Sequence, residues 1–193
     1  MLKKIAASLI VIGLLAGFAT FGALSVFTDT ASVPSNTFTT ATIDISTSPT
    51  SALVTYSNMM PGDKVTAPLT VTNNGSPELR YAVTSLATNT DAKGLRAQLD
   101  LRIKSGVTTC TNGGFDTDGT LLYGPADLGN DPAINVIGDP TQGADTGDRT
   151  LAGSGSEVLC FQVELPLSTG NPFQSATTTA TFAFEAEQTA NNP

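Results

Sequence analysis

The chain contains no histidine. Every catalytic plan built on imidazole is therefore closed to it, including the Ser-His-Asp triad, the Cys-His pair and the two-His zinc helix of metallopeptidases. Cations are scarce: nine Lys and Arg stand against 17 Asp and Glu, giving a formal net charge of -8 and a pI near 4.2. A phosphate backbone is bound by clustered cations that displace its counterions, so DNA and RNA are excluded as partners. No P-loop, G-x-S-x-G, S-x-x-K or Gly-rich dinucleotide fingerprint occurs. Paired carboxylates such as Glu157 and Glu164 read as a solvated strand face rather than a glycosidase pair. The expectation is a protein that is not an enzyme.

Long apolar runs are also absent, with one exception. Lys3 and Lys4 precede an uncharged stretch from Ile5 to Phe27, 23 residues long, interrupted only by small residues such as Ser8, Gly13, Gly17, Thr20 and Gly22. This is the layout of a secretory signal, helical over its apolar part, and Ala23-Leu24-Ser25 fits an A-x-A-like site that releases a chain beginning at Val26. The alternative is an uncleaved anchor, because 23 helical residues at ~1.5 Å each can cross a hydrocarbon layer of ~30 Å. Cleavage removes two lysines and no acid, so the net charge moves from -8 to -10. Contact with a membrane is expected only through this segment before cleavage.

Cysteine is limited to Cys110 and Cys160. In an exported chain a lone pair reads as a disulfide, with two free thiols as the alternative. Two cysteines and no histidine cannot supply the usual four ligands of a structural zinc.

What is abundant is strand-like alternation. Leu99, Leu101 and Ile103 alternate with Gln98, Asp100, Arg102 and Lys104, the pattern of a half-buried strand. Glu157 to Leu165 and Thr179 to Glu187 read the same way, with Leu159, Phe161 and Val163 in the first and Phe182 and Phe184 in the second. Weaker strands are expected at Thr40 to Ser46, Ala52 to Ser57, Lys64 to Thr72, Arg80 to Ala87 and Gly119 to Tyr123. The separators carry turn chemistry, as in Met60-Pro61-Gly62-Asp63, Asn73-Asn74-Gly75-Ser76-Pro77 and Asn112-Gly113-Gly114. No 3.6-residue period is sustained beyond the signal. About eight short strands at roughly 8–12-residue spacing predict an all-β domain, an antiparallel sandwich of jelly-roll-like topology. Residues 1–25 are assigned to the signal, 26–38 to an N-terminal arm and 39–190 to the sandwich. Within the last, 124–155 is rich in Gly, Pro, Asp and Thr. It reads as a long surface excursion.

One stretch invites a metal. Asp116-Thr117-Asp118-Gly119 has the D-x-D-G form of a calcium loop, and Asp127 falls where an EF-hand carries its terminal Glu. The match is partial, and a tight turn whose Asp side chains bond their own backbone explains the same residues. Calcium on Asp116 and Asp118 is the single cofactor the sequence suggests, and no other cofactor is expected.

A family resemblance enters at the signal junction. Phe27-Thr28-Asp29-Thr30-Ala31, then Asn36-Thr37-Phe38 and Ala41-Thr42-Ile43-Asp44-Ile45, resemble the signal boundary of the TasA/CalY (camelysin) family, whose members carry an aromatic-x-Asp-x cue for an alternative, SipW-type signal peptidase. Met60-Pro61-Gly62-Asp63 with Leu69 to Ser76 resembles the family's P-G-D turn and N-x-G-S hairpin. Leu159-Cys160-Phe161-Gln162-Val163 and Gln174 to Gln188 resemble its closing strands. The middle of the chain is not covered.

The resemblance implies a secreted jelly-roll subunit of a biofilm matrix fibre or cell-surface layer, whose partners are further copies of itself, its signal peptidase and other matrix proteins. It also implies donor-strand exchange, in which the segment freed by signal cleavage completes the sandwich of a neighbour. The arm here suits that role: Val26, Phe27, Val33 and Phe38 are apolar and Pro34 blocks a helix, so the segment can add to an exposed sheet edge. Unlike surfaces then meet head to tail, and the assembly runs on as an open filament. The arm folding back on its own sheet, or fraying, is the alternative. Some camelysins are described as metallopeptidases, but a chain without histidine and without H-E-x-x-H cannot build a two-His zinc site. A monomeric secreted or surface-anchored binding module, calcium-loaded through residues 116–148, is the second functional expectation.

Overall fold

The computed structural model describes residues 39–192 except 52, 54 and 55. The signal segment, the Ser25/Val26 junction and the arm residues Val26, Phe27, Val33 and Phe38 lie outside the described residues. Among the described residues there are nine strands: β1 (Ile45–Ser48), β2 (Lys64–Asn73), β3 (Leu79–Ala87), β4 (Asp100–Ser105), β5 (Thr120–Asp127), β6 (Ile134–Ile137), β7 (Arg149–Leu151), β8 (Ser156–Glu164) and β9 (Ala180–Gln188). They form two antiparallel sheets. The first has the order β1-β2-β8-β4-β5. In the second, β3 is central, with β9 along its full length on one edge and β7 and β6 end to end on the other. Among the described residues, no helix is long and apolar enough to cross a membrane. The expected all-β sandwich is the fold observed.

Alternation explains the core. In the first sheet, Val65, Val163 and Leu101 line up across three strands, and Ala67, Phe161 and Ile103 form the next row. The second sheet sets Leu79, Tyr81 and Val83 of β3 against them, with Val136, Ile137 and Leu151 from the short strands. Each fully buried Leu, Ile, Val or Phe contributes roughly 1.5–3 kcal/mol, and Leu79, Val83, Leu101, Ile103, Leu159 and Phe161 all have 0% exposure.

Asn73, also fully buried, locks one end of the sandwich. Its Nδ2 donates to the carbonyls of Pro77 (2.8 Å), Leu151 (3.2 Å) and Ala152 (3.0 Å), and its Oδ1 accepts from Gly75 N (2.9 Å). This joins the β2–β3 and β7–β8 connections into one structure, called here the upper end. A Cβ at Gly75 would collide with the Thr42 carbonyl, and one at Gly153 with that of Ser76, so both positions need the bare backbone. At the opposite, lower end the Met60–Asp63 turn meets the chain leaving β8, through Gly62 N to Leu165 O (2.6 Å) and Leu165 N to Asp63 O (3.0 Å).

Five expectations need correction. Residues 124–155 are not a surface excursion: β5 runs to Asp127, and β6 and β7 pair with β3. The few apolar residues there are used to pair and bury these short strands, with Val136 2% and Ile137 4% exposed. No strand occurs at the described positions between Ala52 and Ser57, and the first strand begins at Ile45 rather than Thr40. Glu157 does not face solvent with Glu164, because its odd number puts it in step with Leu159 and Phe161, on the inner face. Finally, the outer face of β8 is not solvated at Cys160 and Gln162, which are 1% and 0% exposed.

The last correction has a clear cause. The β4–β5 connection, residues 106–119, folds back over the outer face of the first sheet. Cys110 and Cys160 form the disulfide, with Cα atoms 5.6 Å apart. Fully buried Phe115 lies under Arg102 and Lys104, whose charges sit 5.1 and 5.0 Å from its ring centroid. Lys104 Nζ donates to Phe115 O (2.8 Å) and Asp118 O (3.0 Å), and Asn112 Nδ2 reaches Lys64 O (2.8 Å). Arg102 also bonds Gln162 Oε1, and Gln162 Nε2 donates to Thr66 Oγ1 (2.9 Å).

Candidate assembly edge

Two open sheets have exposed strand edges, and a protein that stays monomeric blunts them with short strands, proline, bulges or charge. On this molecule β1 is four residues long. β5 contains Pro125 and two register shifts. β6 and β7 are four and three residues, so that edge is broken into two pieces. The fourth edge differs. β9 is nine residues without glycine, proline or bulge, and among the described residues it pairs only with β3.

Its side chains make the edge adhesive. Ala180, Phe182, Phe184 and Ala186 face inward and pack on the core but are only partly buried. Phe182 tilts against Phe161 at 5.0 Å between ring centroids, and Phe184 against Tyr81 at 6.1 Å. The opposite flank of the sandwich is closed by the approach of β5 to β6, and β1 and β9 make no comparable approach. On the outer face of β9, Glu187 is neutralised by nearly buried Arg80 at 2.6 Å, while Gly143 N donates to it at 3.0 Å. The charges on this strand thus sit on its outer face or in an ion pair, and none points inward.

The other residues singled out from sequence have local partners. Asp116 pairs with Arg102 at 3.0 Å. The Asp118 carboxylate accepts from Thr108 N at 3.1 and 3.3 Å, and the hydroxyl and amide of Thr108 hold its pKa below the usual carboxylate value. Asp148 accepts from the amides of Asp139 and Asp145, each at 3.0 Å. Among the described residues, no group of three or more metal-ligating side chains is arranged to hold an ion.

Sequence reasoning missed a polar cluster in the interior. The Tyr81 hydroxyl donates to Glu157 Oε1 at 2.8 Å, and Arg149 donates to the same carboxylate through Nε (3.3 Å) and Nη2 (2.5 Å). Desolvation, and then the Glu157 charge, push the Tyr81 phenol well above its ordinary pKa. The parity of Glu157 with Leu159 was the signal for its inward direction.

A family model described as camelysin metallo-endopeptidase matches residues 1–113, more than half of the chain, and the chain belongs to this family. At the level of the family, that makes it an exported protein of the extracellular or cell-surface matrix type. The family description is that of a metallo-endopeptidase, whereas this member has no histidine. No curated protein matches the chain. Among solved structures, the ASH/PapD-like domain of human CEP192 (PapD-like domain 7) is similar at a TM-score of 0.31 and 12% identity, over 86% of this chain and 99% of that chain.

Proposed function

We propose that the protein is a non-enzymatic structural subunit that polymerises head to tail into extracellular matrix fibres or a surface layer. The arm Val26–Phe38 of one copy, freed by cleavage after Ser25, adds as a strand to the open edge of β9 in the next copy. The observation that carries this reading is the condition of that edge: nine uninterrupted residues with two half-buried phenylalanines, where the other three edges are blunted. Backbone bonds along β9 supply affinity, and side chains seated beside Phe182 and Phe184 supply register. Because donor and acceptor surfaces differ, the contact does not close on itself. The lack of histidine supports a non-enzymatic role, since the two-His zinc site of a metallopeptidase cannot be assembled from this chain.

The test is electron microscopy of concentrated protein beginning at Val26, beside a form lacking Val26 to Ser35. Filaments from the first and monomers from the second are expected. Filaments from both, or from neither, would refute the proposal.

A further inference from the structure

Among the described residues, three of the six large apolar side chains left exposed gather at the lower end: Tyr56 at 49%, Met60 at 66% and Leu167 at 82%. All three surround the Asp63 turn. Tyr56 Oη reaches Asp63 Oδ2 at 3.4 Å, Met60 N donates to the same oxygen at 2.8 Å, and Leu167 lies over Gly62, where a Cβ would stand 3.0 Å from its Cδ2. The backbone bonds between the turn and Leu165 hold this apolar cap in place.

The chain enters the sandwich at the other end. Asn74 N donates to Asp44 O at 2.8 Å and Ile45 pairs with Asn73, so β1 starts at the upper end and runs downward. An arm that precedes it and reaches another copy must pass across that copy's nearest end. β9 runs from the lower end, where Ala180 pairs with Ala87, to the upper end, where Gln188 pairs with Leu79. If the lower end of the acceptor sits on the upper end of the donor, the arm runs from upper to lower along the acceptor. It is then antiparallel to β9, as every ladder between the named strands is. The reverse stacking makes the arm parallel to β9.

Length restricts the gap. Pairing all nine positions of β9 leaves about four arm residues plus Thr39 to Ala41, which span roughly 23 Å fully extended, less than the ~33 Å length of β2. The two ends therefore face each other across no more than about 23 Å. The tips of that upper end, Gly75-Ser76-Pro77 and Gly153-Ser154, carry no charged side chain, and Asp44 and Glu78 flank them.

We infer that Tyr56, Met60 and Leu167 form the axial contact of the filament, seated on the Gly/Ser/Pro hairpin end of a second copy. This rests on the head-to-tail reading and adds a second contact to it, outside the arm and outside β9.

The experiment measures the critical concentration for assembly of the protein beginning at Val26, of M60E/L167E, of M60Q/L167Q, of the flank control L121E (Leu121 is 48% exposed) and of the arm-deleted form. Both double variants should melt with the parent as monomers and raise the critical concentration by about tenfold or more, equivalent to ~1.4 kcal/mol per contact, with L121E unchanged. Parent-like assembly of the double variants, or an equal rise in L121E, overturns the axial contact while leaving the arm reading intact. Assembly of the arm-deleted form, or none by the parent, overturns the arm reading and the axial contact with it.

Discussion

Tyr81 of β3 and Glu157 of β8 meet inside the sandwich, the phenol donating to the carboxylate at 2.8 Å, and so tie one sheet to the other. Arg149 completes the charge balance from β7. Tyr81→Phe removes one bond and leaves Glu157 paired with Arg149, so a loss of about 1 kcal/mol is expected. Glu157→Ala strands both the phenol and the guanidinium, and the expected loss is about 3 kcal/mol. Urea denaturation at neutral pH measures both, and equal losses would contradict the hierarchy.

Asn73 is the tightest test of the upper end. Asn73→Asp keeps the shape but turns an acceptor toward the carbonyls of Pro77, Leu151 and Ala152. It should cost about 3 kcal/mol or more. Asn73→Ala should cost less than the isosteric change. Thermal melts of the two variants rank them.

Two aspartates should give opposite pH dependences. Burial raises the Asp100 pKa, helped by the charges of Glu164 and Asp127. Its folded pKa lies above its unfolded one, so its contribution becomes unfavourable as pH rises through that interval. Asp100→Asn should therefore raise the melting temperature at pH 7, with the gain vanishing at acid pH. The Asp118 pKa is lowered by Thr108. Its contribution is present above the unfolded value and is lost as pH falls through the folded one. Asp118→Asn should lower the melting temperature at pH 7 and converge with the parent in acid.

The stability given by the disulfide should be separable from the packing of the loop it pins. A crosslink across 50 residues contributes about 4 kcal/mol in the chain-entropy model, so Cys110→Ser/Cys160→Ser should melt well below the parent. The loop should nevertheless stay on the sheet, because Lys104, Arg102 and Asn112 grip it without the sulfurs. Protection of the Phe115 amide in hydrogen exchange of the folded double variant checks this.

The strands that were plain in the sequence are those with one apolar face in the core and one polar or charged face outside it. β4 and β9 satisfy that condition, and Leu101, Ile103, Phe182 and Phe184 marked them. β6 and β7 were hidden because strands of four and three residues are too short to show a period. Their pairing comes from β3, a long way off in sequence. The cover over Cys160 and Gln162 was illegible for a related reason: alternation tells which residues share a face, not what lies on that face. The same limit applied to the candidate site. The apolar residues of β9 could be read directly, whereas its place at an unblunted edge is a property of the sheet order.

The central claim is that β9 accepts the arm of another copy, and hydrogen exchange on the arm-deleted protein tests it most directly. A synthetic peptide of residues Val26 to Phe38 is added, and the amides of β9 that point away from β3 are followed. Binding should slow their exchange selectively and raise the melting temperature with increasing peptide. Unchanged exchange along β9 at saturating peptide, or protection at β1 or β5 instead, would contradict the account.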